Sequence, residues 1–214
     1  MIALQPPRLY LVTDRHHCRG RDLLDTVEAA LRGGVDALQL REKDLTTREL
    51  VVLGRQLREL CLRYGVNLLV NDRIDVAEAI AADGVHLPAS SFRVKEAKRL
   101  LGPHRLVGVS THSPEEAHRA AAAGADFVVL GPIYDTPSKR PFGTPLGIDG
   151  LARATHSARG PIVAIGGIDT KRAPAVAAAG ASGLAVIRAI LEADDPEAIA
   201  VELRRSFIAE PPSR

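Results

Sequence analysis

Residues 33–43 read Gly33-Gly34-Val35-Asp36-Ala37-Leu38-Gln39-Leu40-Arg41-Glu42-Lys43: a glycine pair, a short and largely apolar run, then a charged cluster. A run of that length with so few polar interruptions suits a strand buried on both faces, as in a parallel sheet covered by helices. The pattern recurs along the whole chain. Working outward from Ala37–Leu40, comparable runs lie at Leu9–Thr13, Asn67–Val70, Gly84–Leu87, Leu106–Val109, Phe127–Leu130, Ile162–Ile165 and Leu184–Ile187. Each is followed by polar or glycine residues, among them Asp14-Arg15, Asn71-Asp72-Arg73, Pro88 to Ser91, Ser110-Thr111-His112, Gly131 to Lys139, Gly166-Gly167 and Arg188. Polar and glycine residues at the carboxyl ends of eight parallel strands are how a (β/α)₈ TIM barrel builds an active site.

Between the runs, apolar residues return with helical period. Helices are predicted at Arg21–Arg32, Thr46–Tyr64, Asp75–Ala82, Val94–Leu101, Ile148–His156, Thr170–Ala179 and Pro196–Phe207. Another opens at Ser113-Pro114-Glu115-Glu116, with Ser as N-cap and Pro at the first helical position. Gly33-Gly34, Gly65, Gly84, Gly124, Gly160 and Gly180 are read as helix ends. The long connection Gly131–Gly147 is rich in Pro, Ser, Thr and Gly, and is expected to be functional, in the manner of a lid. One barrel over 1–209 is expected, with a frayed tail at 210–214.

A length of 214 residues with 46% hydrophobic content is enough for one α/β domain with a core. Aromatics make up only 3% and Trp is absent, so the expected barrel interior is aliphatic, layered from branched side chains. Lys and Arg outnumber Asp and Glu by 28 to 26, too small an excess for a nucleic-acid surface. No apolar stretch approaches a membrane span and the N-terminus lacks signal-peptide character, so a cytoplasmic protein with small-molecule partners is expected. A homo-oligomer is left open. Cys18 and Cys61 form no CxxC pair, and buried thiols are expected. The adjacent His16-His17-Cys18 cannot all point at one ion, and is discounted as a metal site.

The candidate site residues follow from the strand ends. Strand alternation gives Gln39, Arg41 and Lys43 one orientation, into the mouth of the barrel. Glu42, in the same cluster, is counted with the substrate-binding candidates. Arg offers a planar fork for phosphate oxygens and Lys a point charge. With Ser110 and Lys139 on neighbouring loops of that face, this set suits a pyrophosphate better than a monophosphate. Asn71 and Asp72 bring an amide and a carboxylate to the same spot. Asp72 is a candidate Mg²⁺ ligand, since Mg²⁺ is commonly held by one or two carboxylates plus substrate phosphates; capping the helix at 74–81 is its competing role. Gly166-Gly167 and Ile187-Arg188 follow the seventh and eighth runs, where barrels often hold a phosphate on backbone N–H groups. His112 is a candidate acid or base, or a capping residue. His86, inside a strand run, reads as a buried, hydrogen-bonded histidine.

Together these motifs resemble the thiamine-phosphate synthase family, which includes a branch of thiazole tautomerases. The resemblance rests on Gln-Leu-Arg-Glu-Lys (39–43), Asn-Asp-Arg (71–73), Gly-Val-His-Leu (84–87), Gly-Val-Ser-Thr-His (108–112), Gly-Pro-Ile-Tyr-Asp-Thr-Pro-Ser-Lys (131–139) and Ile-Gly-Gly-Ile (165–168). It implies condensation of an aminopyrimidine methyl pyrophosphate with a thiazole phosphate, giving thiamine phosphate and pyrophosphate. Gln39, Arg41, Lys43, Asn71, Ser110 and Lys139 would then hold the pyrimidine pyrophosphate, and Asp72 would bind Mg²⁺. Thr136 and Ser138 would approach the thiazole, whose phosphate would lie on Gly166-Gly167 and Ile187-Arg188. Arg41, Lys43, Ser110, Lys139 and His112 are the catalytic candidates.

One departure bears on the reaction. Synthases usually carry a second metal-binding Asp in the loop after Gly-Val-His-Leu, where this chain has Ser91 in Pro88-Ala89-Ser90-Ser91-Phe92. That form looks more like the tautomerase branch, in which a histidine matching His112 moves protons on a thiazole carboxylate phosphate. A Ser hydroxyl can ligate Mg²⁺, so Ser91 joins Asp72 as a metal candidate. The pyrophosphate clamp favours the synthase reading, with the tautomerase as the alternative and a non-catalytic ligand-binding barrel as a third.

Overall fold

The computed structural model describes residues 5–136 and 144–208. Eight parallel strands close into a barrel in sequence order. They are β1 (Leu9–Val12), β2 (Ala37–Leu40), β3 (Asn67–Asn71), β4 (Gly84–Leu87), β5 (Leu106–Thr111), β6 (Phe127–Leu130), β7 (Ile162–Ile165) and β8 (Gly183–Val186). Around them run α1 (Leu23–Arg32), α2 (Thr47–Tyr64), α3 (Ile74–Ala79), α4 (Val94–Leu101), α5 (Pro114–Ala122), α6 (Gly147–Ser157), α7 (Ala173–Ala178), α8 (Arg188–Leu191) and α9 (Pro196–Ile208). The (β/α)₈ barrel predicted from the eight runs is the fold. The expected tail at 210–214 lies outside the described residues.

Local chemistry starts the helices where the sequence places them. The Thr46 side chain accepts from the Glu49 N–H while the Glu49 carboxylate takes the Thr46 N–H, a reciprocal cap that opens α2. Ser113 caps α5, with Pro114 in its first turn. Other boundaries differ. Helix α7 begins at Ala173 rather than Thr170, because the Asp169 carboxylate first takes the Arg172 N–H and holds a turn there. Helix α8, four residues long, gives no periodic signal to read. Strand β8 ends at Val186, so Ile187 belongs to the following loop. Gly84 is not a helix end but a residue of β4, where a Cβ would strike the Leu106 carbonyl of β5.

Alternation along each strand divides the interior in two. Leu9, Leu11, Leu38, Leu40, Leu68 and Val70 face outward and pack under the helices. Tyr10, Ala37, Leu69, Leu106, Phe127, Val129, Val163 and Ala185 face inward and fill the lumen. The lumen is therefore not the aliphatic stack expected. Tyr10 and Phe127 meet edge to face, centroids 5.6 Å apart, and the His86 ring lies 6.0 and 6.2 Å from them. Small neighbours make the room: a Cβ at Gly108 would collide with the Phe127 ring. Burying each large ring contributes ~1.5–3 kcal/mol.

Both cysteines are buried, and burial pushes the Cys61 thiol up to about 12, so it is held as an unreactive thiol. His16 and His17 turn to different carboxylates, Asp44 at 3.1 Å and Glu192 at 2.6 Å, and no metal-binding cluster occurs among the described residues. No helix among them is long and apolar enough to cross a membrane.

Candidate active site

A cavity of 520 Å³ opens where the strands end. The alternation that puts Tyr10, Ala37, Leu69, His86 and Val163 in the lumen carries straight up into it. Two residues further along each chain path stand Val12, Gln39, Asn71, Pro88 and Ile165, and Arg41, Lys43, Gly167 and Ile187 continue the same series. Ser110 and His112 line the wall from β5, and Thr136, Gly166 and Arg188 complete the set of predicted residues found on the lining. The cavity thus gathers eleven of the fourteen expected site residues that are described.

Arg41 is fixed at its base, where its backbone N–H donates to Thr13 Oγ1 at 2.9 Å. Among the described residues no carboxylate forms an ion pair with its guanidinium, so a cation lines the cavity ready for an anionic ligand. Gln39 lies deeper; its Nε2 donates to the Tyr10 hydroxyl at 2.9 Å, with both side chains buried. Burial also pushes the Tyr10 phenol well above its ordinary pKa, keeping it neutral. Glu42 is the residue that the structure takes away from the site. Alternation turns it off the cavity, and its buried carboxylate accepts from the Arg15 N–H at 3.1 and 3.2 Å and from the Arg15 guanidinium at 3.0 Å. It anchors the loop after β1, and the substrate-contact expectation for it is corrected accordingly.

Asp72 and Ser91, expected as metal ligands, meet: the Ser91 hydroxyl donates to Asp72 Oδ1. The capping role for Asp72 falls away, because the N-cap of α3 is Arg73 and no side chain caps it. Asp72 instead adopts φ 65°, a left-handed conformation that a non-glycine residue rarely takes, and donates its N–H to the His86 carbonyl at 2.9 Å. Strain of that kind, held in place by a neighbouring strand, tends to mark functional positions. The pair sits beside two lining residues, Asn71 and Ala89. One carboxylate and one hydroxyl fit a Mg²⁺ that takes most of its ligands from phosphate oxygens and water.

His112 Nδ1 lies 2.8 Å from the Gly131 carbonyl. A carbonyl only accepts, so Nδ1 carries a proton, and in the neutral ring Nε2 is the nitrogen left as acceptor. The glycine turn after β7 has φ 106° at Gly166 and 64° at Gly167, and a Cβ at either would press on Pro132 or Tyr134. Both of its carbonyls are occupied: Gly166 accepts from the Tyr134 N–H at 3.0 Å and Gly167 from Arg172 at 2.6 Å. Arg172 also stacks on Tyr134, 4.6 Å from the ring centroid. Thr136 lines the cavity, and its buried Oγ1 has no hydrogen-bond partner among the described residues. Ser138 and Lys139 lie outside the described residues, as do 137 and 140–143 of the long connection.

Charged residues of both signs line the cavity: Arg41 and Lys43 follow β2, Asp135 and Asp169 follow β6 and β7, and Arg188 and Glu192 follow β8. Sequence reading missed Tyr10, Arg172 and Glu192, and read His86 only as a structural residue. For Tyr10 and His86 the signal was available: both share the inward parity of Gln39 and Ser110 in their paired strands.

His86 is held neutral, its pKa lowered from 6.5 to about 3 by burial first and by the charge of Arg41 second. The unfolded chain binds this proton near 6.5 while the folded chain does not, so stability is lost as pH falls through that window. The loss from this residue is up to ~1.4 kcal/mol per pH unit. Denaturant unfolding of wild type and His86→Gln at several pH values should show the stability gap narrowing on acidification. Parallel profiles would mean that His86 titrates normally.

Comparison with known proteins identifies the frame. The family model for thiamine monophosphate synthase matches residues 9–190. The chain belongs to the thiamine monophosphate synthase family. A thiamine-phosphate synthase of Roseiflexus sp. is 45% identical over 190 residues, covering 89% of this chain and 80% of that one. Another, from Chloroflexus aurantiacus, is 46% identical over 197 residues, covering 92% and 91%. Among solved structures, thiamine phosphate pyrophosphorylase from Pyrococcus furiosus superposes with a TM-score of 0.84 at 37% identity, covering 94% of this chain and 95% of that one. A 3-hexulose-6-phosphate synthase from Salmonella typhimurium, at 18% identity and TM-score 0.71, shares the barrel alone. The thiamine-phosphate synthases to which the chain is similar are transferases.

Proposed function

We propose that this protein is a thiamine-phosphate synthase that joins 4-amino-2-methyl-5-(diphosphooxymethyl)pyrimidine to thiazole phosphate, in the cytoplasm and with Mg²⁺. The bond between the pyrimidine methylene carbon and the pyrophosphate oxygen breaks, pyrophosphate leaves with the electron pair, and the thiazole nitrogen forms the new C–N bond. The observation that carries this reading is the Arg41 guanidinium, which forms no ion pair among the described residues and lines the cavity wall with Lys43, Asn71 and Ser110. A reaction that expels pyrophosphate needs charge stabilisation and alignment more than a base, and that is what this wall offers.

The two ends of the cavity suit the two substrates. Arg41 and Lys43 would clamp the pyrophosphate, with Lys139 joining them from the loop after β6. Asp72 and Ser91 would hold Mg²⁺, which when bound offsets the charge of the pyrophosphate oxygens. Gly166-Gly167 and Ile187-Arg188 would take the thiazole phosphate, and Thr136, whose buried hydroxyl has no partner among the described residues, and Ser138 would approach the ring.

Ser91 and the fixed tautomer of His112 favour a second reading, tautomerisation of a thiazole carboxylate phosphate, in which Nε2 of His112 would be the base. Incubating the purified protein with Mg²⁺ and both synthase substrates should give thiamine phosphate and pyrophosphate in equal amounts. Absence of both products, with thiazole carboxylate phosphate turned over instead, would replace the first reading with the second.

A further inference from the structure

We propose that His86 is a positioning residue: its Nε2–H donates to Ser110 Oγ and so commits the Ser110 hydroxyl proton to the ligand in the cavity. The inference rests on the synthase reading only for the identity of that ligand, the anionic pyrophosphate group.

The geometry is narrow. His86 Nε2 lies 2.7 Å from Ser110 Oγ, across the β4–β5 pair. The other ring nitrogen, Nδ1, is buried with no hydrogen-bond partner among the described residues. Around it are the Tyr10 and Phe127 rings and the bare backbone of Gly108, where a Cβ would come within 3.0 Å of Nδ1. Two neutral tautomers are conceivable. With the proton on Nδ1, a buried N–H would face aromatic and backbone carbon with no acceptor, a rare and costly arrangement. With the proton on Nε2, that donor is satisfied and only a lone pair is left without a partner. The second is favoured.

The consequence passes through Ser110. A serine hydroxyl has one proton and two acceptor sites. Once Oγ accepts from His86, its proton is free to donate, and Ser110 lines the cavity. In the opposite tautomer the Ser110 proton would be spent on His86, leaving lone pairs toward an incoming anion. A neutral imidazole is needed for this, and the buried ring offers a second proton on Nδ1 no acceptor among the described residues. A histidine with an unpartnered nitrogen inside an otherwise apolar floor calls for a reason, and setting the direction of one hydroxyl supplies it.

Two measurements test the proposal. In wild type, ¹⁵N-histidine NMR at neutral pH should show the His86 proton on Nε2; a proton on Nδ1 overturns it. Second, calorimetric binding of inorganic pyrophosphate with Mg²⁺ should weaken about tenfold in His86→Leu, the usual scale for a charge-assisted hydrogen bond. Ser110→Ala should cost about the same, and the double variant little more, because both remove one interaction. His86→Gln, whose amide can donate from nearly the same place, should recover most of the binding. Independent, additive losses would show that His86 supports the floor without acting through Ser110. A wild type that carries the Nε2 proton yet binds no pyrophosphate would overturn the synthase reading and leave the orientation of Ser110 standing.

Discussion

Arg41→Ala should lower synthase kcat/KM by ~10²–10³ while leaving the melting temperature nearly unmoved. The asymmetry comes from where the residue sits. Its backbone N–H donates to Thr13 Oγ1, and alanine keeps that bond. Its guanidinium forms no ion pair among the described residues, so removing it strands no buried carboxylate. What is lost is a cation facing the place where negative charge grows as pyrophosphate departs. Such a contact strengthens on the way to the transition state, so kcat should fall more than KM rises. Arg41→Lys keeps the charge but not the planar fork, and should fall between the two. Glu42→Gln makes the contrast. It removes the buried partner of Arg15, so it should lower stability. Steady-state kinetics with a melting curve on each variant separates the cases. Wild-type turnover in Arg41→Ala would remove the pyrophosphate clamp from the β2 wall.

The eight strands were legible because each is an apolar run wherever helices cover the sheet. The rim was legible for the same reason, since the residues that follow a buried parallel strand lie at the mouth end of the barrel. The lumen was harder to read. Tyr10, His86 and Phe127 fit together only because Gly108 and its neighbours leave space, and complementarity across strands is invisible to a reading made one strand at a time. Glu42 shows the limit of reading a motif as a block. It stands between Arg41 and Lys43 in sequence, but a period of two sends it to the opposite face, where Arg15 from another loop fixes it. Asp72 shows the reverse case. Its sequence position suited a helix cap, and only the left-handed backbone with the Ser91 contact separates the two roles. Helix α8 and Arg172 act over too few residues to leave a periodic signal.

Ser91→Asp and His112→Ala together should decide which chemistry the cavity performs. In the synthase reading, Asp72 holds Mg²⁺ with substrate oxygens, and Ser91 is a weak neutral ligand. Its hydroxyl now donates to Asp72 Oδ1, so without metal it stabilises the single carboxylate. Replacing it with aspartate sets two carboxylates side by side, an arrangement that repels when empty and binds a hard dication more tightly when filled. The Mg²⁺ concentration for half-maximal activity should fall, by roughly tenfold, with turnover retained. His112→Ala should cost little, since ionisation of the pyrimidine–oxygen bond requires no proton transfer at Nε2. In the tautomerase reading the two variants exchange importance. Nε2 of His112, freed by the Nδ1 bond to the Gly131 carbonyl, would be the base. Its removal should then cost ~10²–10⁴ in rate, while Mg²⁺ and Ser91→Asp change nothing. Titrating Mg²⁺ against both variants, with each reaction's substrates offered separately, measures all of this. A metal-independent activity on thiazole carboxylate phosphate that disappears with His112 would overturn the synthase assignment, because a pyrophosphate clamp serves no purpose in a reaction that releases none.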